Sequence, residues 1–377
     1  MEKLMARDAA GTDLLSALRP SRLNFNLVRC CFQVVKSSPL IPARIRTRLF
    51  TDKVRASSAT AIATKPEPII DEASSKIRKD ILACPICYER VSWNGGVDLS
   101  LEAVARSTLE CSCCRKSYTG KDSHLDLTVT GGNKVYGEPM AASTELFRFP
   151  LVSFLYERGW RQSFTVWGGF PGPEQEFELM KEYLQPVLGG TIVDASCGSG
   201  MFSRLFAKSG LFSLVVALDY SESMLRQCYD FIKQEDNFPQ EYVSRENKFS
   251  SSLHIALGKL VLVRADISRL PFASGSVEAV HAGAALHCWP SPSAAVAEIS
   301  RVLKPGGMFV ATTYIMDGLL SYFPLSRPIR QGVAQLSGSH VFLSEKELED
   351  LCASCGLINF TCTRNRLFVM ITATKPV

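Results

Sequence analysis

Two short stretches hold residue types at spacings that chemistry could use. Between Val193 and Phe202 the chain reads VDASCGSGMF, and two cysteine pairs stand in CPICYER (Cys84, Cys87) and CSCCR (Cys111, Cys114). In the first stretch, Gly198 and Gly200 remove Cβ atoms where a ligand would lie against bare main chain. A carboxylate follows 19 residues after Gly200, at Asp219 in ALDYSESML, placed to accept both hydroxyls of a ribose. Another acid, Asp266 in RADISRLPF, ends a further apolar run, near where an adenine amino group would lie. Each feature alone also fits a plain tight turn or a capping carboxylate; together they suit a nucleoside-like ligand.

The cysteines suggest a second kind of site. There are 13, an odd number, in a chain with no secretory signal, which fits a reducing compartment. Two C-x-x-C turns with 23 residues between Cys87 and Cys111 can bring four thiolates to one tetrahedral zinc. The symmetry of the pairs selects Cys84, Cys87, Cys111 and Cys114 and leaves Cys113 surplus. Tyr118 is placed to pack over the site. With no histidine or carboxylate in the set, the Zn2+ would be structural and closed. Buried structural thiols or a redox pair are the alternatives.

Elements that could position these residues follow in a regular alternation. PEQEFELMKEYL opens as a helix with Phe177, Met180 and Leu184 at helical spacing; TIVDA (Thr191 to Ala195) is a strand; MFSRLFAKSG is a helix ended by Gly210. LFSLVVALD, LVLVRAD, SVEAVHAG and GGMFVATTY supply four more strands, with helices at ESMLRQCYDFI and SAAVAEISRVL. SEKELEDLCASCG carries a capping box, Ser344 with Glu347, before a final strand pair in INFTCTRN and LFVMITATK. This pattern belongs to a doubly wound α/β sheet.

Dinucleotide-dependent oxidoreductases share the glycine turn and the acid after the second strand. The fingerprint G-x-G-x-x-G is incomplete here, because Ser203 holds the third glycine position. VDASCGSG, ALDYSESML, RADISRLPF and ISRVLKPGGMFVATTY instead resemble the successive motifs of class I S-adenosylmethionine-dependent methyltransferases of the ubiquinone/menaquinone type. The resemblance spans about Phe177 to Pro376 and implies a Rossmann-like sheet of seven strands. YERGWRQSFTVWGGFPGPEQEFE and HAGAALHCWPSPS, together with the cysteine pairs, resemble plant chloroplast methyltransferases found with plastoglobules. Cysteine knuckles ahead of such a domain are also similar to bacterial zinc-ribbon 23S rRNA guanine-N1 methyltransferases.

Carried onto this chain, the resemblance implies S-adenosyl-L-methionine as cofactor, lined by Asp194, Ser196, Gly198 and Gly200. It implies Asp219 on the ribose, Tyr220 or Met224 against the adenine, and Asp266 with Ile267 at the adenine edge. Ser196 stands where many relatives have glycine. A polar span at 237–259 reads as a loop insertion, and residues 316–340, where relatives keep substrate-recognition elements, read as an apolar lid or a hydrophobic docking surface. Methyl transfer needs a base only for a protonated nucleophile. His281 and His287 are the candidates, with His287 preferred, and Cys288 and Trp289 are placed to line the acceptor pocket or to join the core.

Charge and composition bound the partners. The first 56 residues hold 11 basic and 4 acidic side chains without periodicity, like an organelle transit peptide, and leave 31 basic and 33 acidic residues for the rest. Such a neutral body lacks the basic face that nucleic-acid binding usually requires. No apolar run reaches the roughly 18–20 residues of a membrane span, so any attachment to plastid lipid bodies would be peripheral. The expected order is a transit peptide (1–56), linker (57–78), zinc-ribbon-like module (79–130), connecting segment with an N-terminal lid (131–176) and methyltransferase domain (177–377). Three functions compete: a plastid (plastoglobule or stroma) methyltransferase acting on a small, lipid-soluble, prenylquinone-like acceptor; a plastid rRNA methyltransferase gripping RNA through its zinc module; and a scaffold that binds cofactor without catalysis. Residues 76–121, with 8 basic and 5 acidic side chains, permit RNA contact without demanding it.

Overall fold

The computed structural model describes residues 81–94, 104, 107–131, 168–236, 260–315 and 342–377. The transit peptide, the linker, most of the connecting segment, the polar span 237–259 and the apolar lid at 316–340 lie outside the described residues. Two cores on opposite faces of one sheet organise what is described.

Short strands β1 (Val91–Asn94), β2 (Thr108–Cys111) and β3 (Ser117–Thr119) form an antiparallel sheet carrying the second cysteine pair at its β2–β3 tip. After β4 (Leu125–Asp126) and helix α1 (Pro173–Leu184), strands and helices alternate: β5 (Thr191–Ala195), α2 (Met201–Ser209), β6 (Leu214–Asp219), α3 (Glu222–Asp236), β7 (Leu260–Arg264), β8 (Val277–Ala282), α4 (Pro292–Val302) and β9 (Leu303–Tyr314). Helix α5 (Glu345–Ser354) and the antiparallel pair β10 (Ile358–Asn365) and β11 (Phe368–Thr374) close the chain. The large sheet runs β10-β11-β9-β8-β5-β6-β7-β4. Strands β5 to β9 and β4 pair in parallel, whereas β11 runs against β9.

The strands read as continuous apolar runs because both faces are covered. Along β5 and β6 alternate residues serve alternate cores: Ile192, Val215 and Ala217 meet α1, α2 and α3, while Val193, Val216 and Leu218 meet α4, α5 and the cysteine module. The expected helical stripes lie on the first face, with Phe177, Met180 and Leu184 of α1 against Phe202 and Phe206 of α2. Gly210 ends α2 in the left-handed conformation (φ 65°), and the Ser344–Glu347 capping box starts α5. Leu303, the last residue of the helix expected at SAAVAEISRVL, instead begins β9.

To the seven strands expected from the sequence the structure adds an eighth. β4 pairs with the edge strand β7, Leu125 opposite Val263 and Asp126 opposite Arg264. At two residues β4 is too short to show period-2 patterning, so only its partner makes it a strand. It also ties the cysteine module into the sheet: Cys84, Leu109 and Tyr118 share one core with Val263 and Phe272. The LKPGG motif contributes no residue to the cleft lining and shapes the sheet instead. Between Leu303 and Met308 the β8–β9 register shifts, Gly306 takes φ 75°, and Lys304 pairs with Glu278.

Candidate functional site

A cleft of about 930 Å³, counted with the space open to solvent, lies at the carboxyl ends of β5, β6, β7 and β8. Open α/β sheets bind ligands at such ends. Of the residues singled out from the sequence, Ser196, Gly198, Asp219, Tyr220, Met224, Asp266, Ile267 and His287 all line it. Asp194 and Gly200 do not, and each has a structural task behind the wall.

Asp194 is buried beneath the glycine turn. Its Oδ2 accepts from the Ser203 hydroxyl at 2.5 Å, and its Oδ1 meets His281 Nδ1 at 2.7 Å. The carboxylate therefore ties the end of β5 to α2 and β8. Ser203, the residue at the missing third glycine position, is thereby explained. Its hydroxyl supplies a partner that a glycine cannot. His281 lies within β8, fully buried, and is absent from the cleft lining, so of the two candidate bases only His287 faces the cleft. Gly200 caps α2 at φ 79°, and a Cβ there would overlap the Cys228 sulfur of α3. Its lack of a side chain lets two helices close on each other.

The turn itself presents main chain to the cleft. Gly198 takes φ 57° and donates its N–H to Asp219 Oδ2 at 2.9 Å. Asp219 Oδ1 accepts from the Ser221 N–H at 2.7 Å, so both oxygens are fixed at the edge of the cleft. Burial pushes its carboxyl above the usual range, opposed by the backbone N–H groups of Ser221 and Gly198. Ser196 also adopts φ 60°, which is why glycine suits that position. Here its hydroxyl accepts from Trp289 Nε1 at 2.9 Å, and this bond pins the indole to the cleft wall.

The far side of the cleft comes from the segment after β8. Ala284 takes φ 52° and donates its N–H to Thr312 Oγ1 at 2.9 Å, and Gly283, Ala285, Cys288, Trp289 and Pro290 complete this wall. The sequence reading missed Gly283, Ala284 and Ala285; the run of small residues in HAGAALHC was the available signal. His287 contacts Thr313 Oγ1 through Nδ1 at 3.1 Å, and its ring lies 5.1 Å from that of Tyr314. Burial holds its pKa down to about 4, so the ring is neutral at pH 7. The Cys288 thiol is pushed up to about 12, mainly by burial, so it stays protonated.

His124, equally buried, is also lowered to about 4 by burial. Both rings depart from an ordinary value of 6.5, so the unfolded chain takes up protons that the folded one refuses as pH falls below 6.5. We expect stability to be full above pH 6.5 and to fall towards pH 4, by on the order of 3 kcal/mol for each ring. Thermal unfolding across that range checks this, and the paired His124→Gln and His287→Gln variant should flatten the profile.

At the cysteine module the four expected sulfurs converge. Those of Cys84, Cys87, Cys111 and Cys114 all lie within 4.8 Å of one another, with Cys84–Cys114 at 3.6 Å and Cys87–Cys111 at 3.4 Å. Zinc–sulfur bonds of about 2.3 Å place tetrahedral sulfurs about 3.8 Å apart. The two turns repeat one backbone design: Tyr88 and Arg115, each just after its second cysteine, have φ 61° and 59° and donate to the carbonyls of Cys84 and Cys111. Cys113 is exposed and stays outside the cluster. The Tyr118 hydroxyl lies 3.1 Å from Cys84 Sγ. Burial raises the Cys84 thiol, but this hydroxyl and neighbouring N–H groups outweigh it and bring the pKa to about 7. A donor set of four thiols, one already near ionisation, fits a soft, tetrahedral cation.

The model of the methyltransferase domain family matches residues 193–311, which hold the glycine turn, Asp219, Asp266 and His287. A chloroplastic methyltransferase of Arabidopsis thaliana is 62% identical over 79% of this chain and 79% of its own length. A second from the same plant is 45% identical, covering 100% of this chain and 99% of the relative. The demethylmenaquinone methyltransferase of Desulfitobacterium hafniense is 28% identical over 55% of this chain and 75% of its own. The sheet order and these likenesses agree: the chain belongs to the class I S-adenosylmethionine-dependent methyltransferases.

Proposed function

We propose that this chain is a plastid methyltransferase whose acceptor is a small, lipid-soluble molecule of the prenylquinone kind. The observation that carries the acceptor class is the wall after β8, where Ala284, Ala285, Trp289 and Pro290 present carbon and His287 is neutral. Among the described residues that side offers a charged acceptor no fixed counter-charge. The near-neutral body and the relatives named for demethylmenaquinone and, in Schizosaccharomyces pombe, sterol C-24 methylation support the same class. The two Arabidopsis relatives, both chloroplastic by name, support the compartment. Among the described residues no helix is long and apolar enough to cross a membrane, so attachment to plastid lipid bodies would be peripheral.

S-adenosylmethionine supplies a sulfonium-bound methyl group. Asp219 holds the ribose, Asp266 and Ile267 bound the adenine edge, and the Gly198 turn admits the main chain close to the ligand. The wall from Gly283 to Pro290 orients the acceptor, since holding the reacting atoms in line supplies most of the rate in such a displacement. His287 lines the cleft with Nδ1 at Thr313 Oγ1, and in the tautomer that donates from Nδ1 it would offer Nε2 to an acceptor hydroxyl. The burial that lowers its pKa to about 4 makes it a weak base, so positioning carries the larger share of the rate. Four sulfurs at tetrahedral spacing support one structural Zn2+ on Cys84, Cys87, Cys111 and Cys114.

Recombinant protein, incubated with methyl-labelled cofactor and separated plastid lipid, RNA and protein pools, tests the acceptor. Label should enter the lipid extract. Label confined to RNA would replace this reading with the rRNA one, and cofactor binding without transfer to any pool would make the chain a scaffold.

A further inference from the structure

The cysteine module meets the methyltransferase sheet at two places, and both flank the cofactor cleft. At the first, residues 81–83 run antiparallel to 271–273. Leu82 bridges Phe272, the Ala83 N–H donates to the Pro271 carbonyl at 2.9 Å, and the Ala273 N–H donates to the Ile81 carbonyl at 2.8 Å. Just before this pairing, Arg269 reaches into the first knuckle. Its Nε donates to the Pro85 carbonyl at 2.7 Å and its Nη2 to the Ile86 carbonyl at 2.9 Å. Those carbonyls belong to the two residues between Cys84 and Cys87.

The same arginine closes the turn that borders the cleft. Its N–H donates to the Asp266 carbonyl at 3.0 Å, and Asp266 Oδ1 accepts from the Ser268 N–H at 2.8 Å and the Ser268 hydroxyl at 2.6 Å. Asp266 and Ile267 line the cleft. Tyr88, directly after the knuckle, lies under two guanidinium groups, Arg269 at 5.2 Å and Arg301 at 4.1 Å. Arg301 in turn donates to the carbonyls of Leu270 and Phe272. The second meeting place is β4, where Asp126 Oδ2 accepts from Arg264 at 3.1 Å and Arg264 Nε donates to the Tyr220 carbonyl, also at 3.1 Å. Tyr220 lines the cleft as well.

The geometry points to the cysteine module as a strut of the cofactor cleft, with Arg269 as the positioning residue that transmits the shape of the Cys84–Cys87 knuckle to the Asp266–Ile267 turn. This rests on the reading that the cleft takes S-adenosylmethionine and the sulfurs take zinc. A metal on the four sulfurs fixes the turn at residues 84–87, so the Pro85 and Ile86 carbonyls stand where one planar guanidinium meets both. Without the metal the knuckle loses its closure and the guanidinium loses a rigid pair of acceptors. The Asp266 turn then rests on its own local bonds, and the ligand must order it on binding. A module that only gripped the acceptor would leave cofactor affinity untouched.

Zinc-loaded full-length wild-type, Arg269→Ala and Arg269→Lys chains test this by calorimetry with S-adenosylhomocysteine, alongside metal analysis. Arg269→Ala should keep its zinc yet bind about tenfold more weakly, a coupling of ordinary size between linked sites. Stripping the metal from wild type should weaken binding about as much and add little in Arg269→Ala, because both break one connection. Arg269→Lys should recover part of the loss, since an ammonium can serve one carbonyl. Hydrogen exchange of the amides of residues 266–270 and 272 without ligand should quicken in Arg269→Ala and in the metal-free chain. Wild-type affinity in zinc-replete Arg269→Ala, or unchanged exchange in that turn, would overturn the strut. The exchange arm needs no ligand, so a wild-type chain that bound no S-adenosylhomocysteine would count against the cofactor reading alone.

Discussion

Asp219→Ala should abolish measurable binding of S-adenosylmethionine while the chain stays folded. The Asp219 carboxylate is fixed from the protein side by backbone N–H groups, those of Gly198 and Ser221 among them, and borders the cleft where it would accept the two ribose hydroxyls. Hydrogen bonds to a charged group are worth about 1.5–3 kcal/mol each, so losing two weakens binding by roughly 10² to 10⁴-fold. The fold should survive because Asp219 ends β6 at the cleft rim, half-buried, and the strand register from Val215 to Leu218 does not depend on its side chain. Asp219→Asn gives a second reading: it keeps the shape but replaces one acceptor with a donor, and should fall between wild type and alanine. Calorimetry decides the matter, with circular dichroism as the check on folding. Undiminished affinity in a folded Asp219→Ala chain would remove this residue from the site.

The second large effect is expected at the other site. Wild-type protein should carry about one zinc per chain, and Cys84→Ser should carry none. Cys84 is the most committed of the four, fully buried, bonded to the Tyr118 hydroxyl at 3.1 Å and approached by the Ile86 N–H at 3.4 Å. A serine hydroxyl is too short and too basic, once deprotonated, to replace the thiolate. Structural zinc sites in small peptides contribute about 10–16 kcal/mol of apparent binding energy, which is folding energy where the site does not exist unfolded. Here the module shares its core with the sheet, through Leu109 and Tyr118 against Val263 and Phe272. We therefore expect Cys84→Ser to lower the unfolding temperature of the sheet as well as the module, by several degrees in a single shifted transition. Metal analysis and calorimetric unfolding check both halves, and a zinc-free wild-type chain would refute the site.

Sequence patterning made most of the sheet legible. Apolar runs bounded by glycine and acidic residues marked β5 to β9, because strands covered on both faces carry a signal that needs no partner to be seen. The capping box at Ser344 and the glycine at 210 marked helix ends for the same local reason. By contrast, β4 has two residues and exists as a strand only because Val263 and Arg264 stand beside it. The site divides along the same line. Gly198, Asp219, Asp266 and the four cysteines announced themselves by residue type and spacing. Asp194 read as a ligand residue, and only the packing showed its oxygens spent on Ser203 and His281. Gly200 likewise read as a ligand contact, yet its bare Cα serves Cys228.

What the sequence determined by itself is therefore the set of groups able to do chemistry, the alternation of elements that carries them and, through motifs that resemble a known family, the methyltransferase character. Tertiary structure alone decided which of those groups face the cleft, which of two histidines lies behind its wall, and that the Cys84–Cys87 knuckle is bolted by Arg269 to the Asp266–Ile267 turn of the cleft. The reason is physical. Residue type and local periodicity are properties of neighbours along the chain, whereas a hydrogen bond from Arg269 to Pro85, 184 positions apart, exists only once the chain has folded.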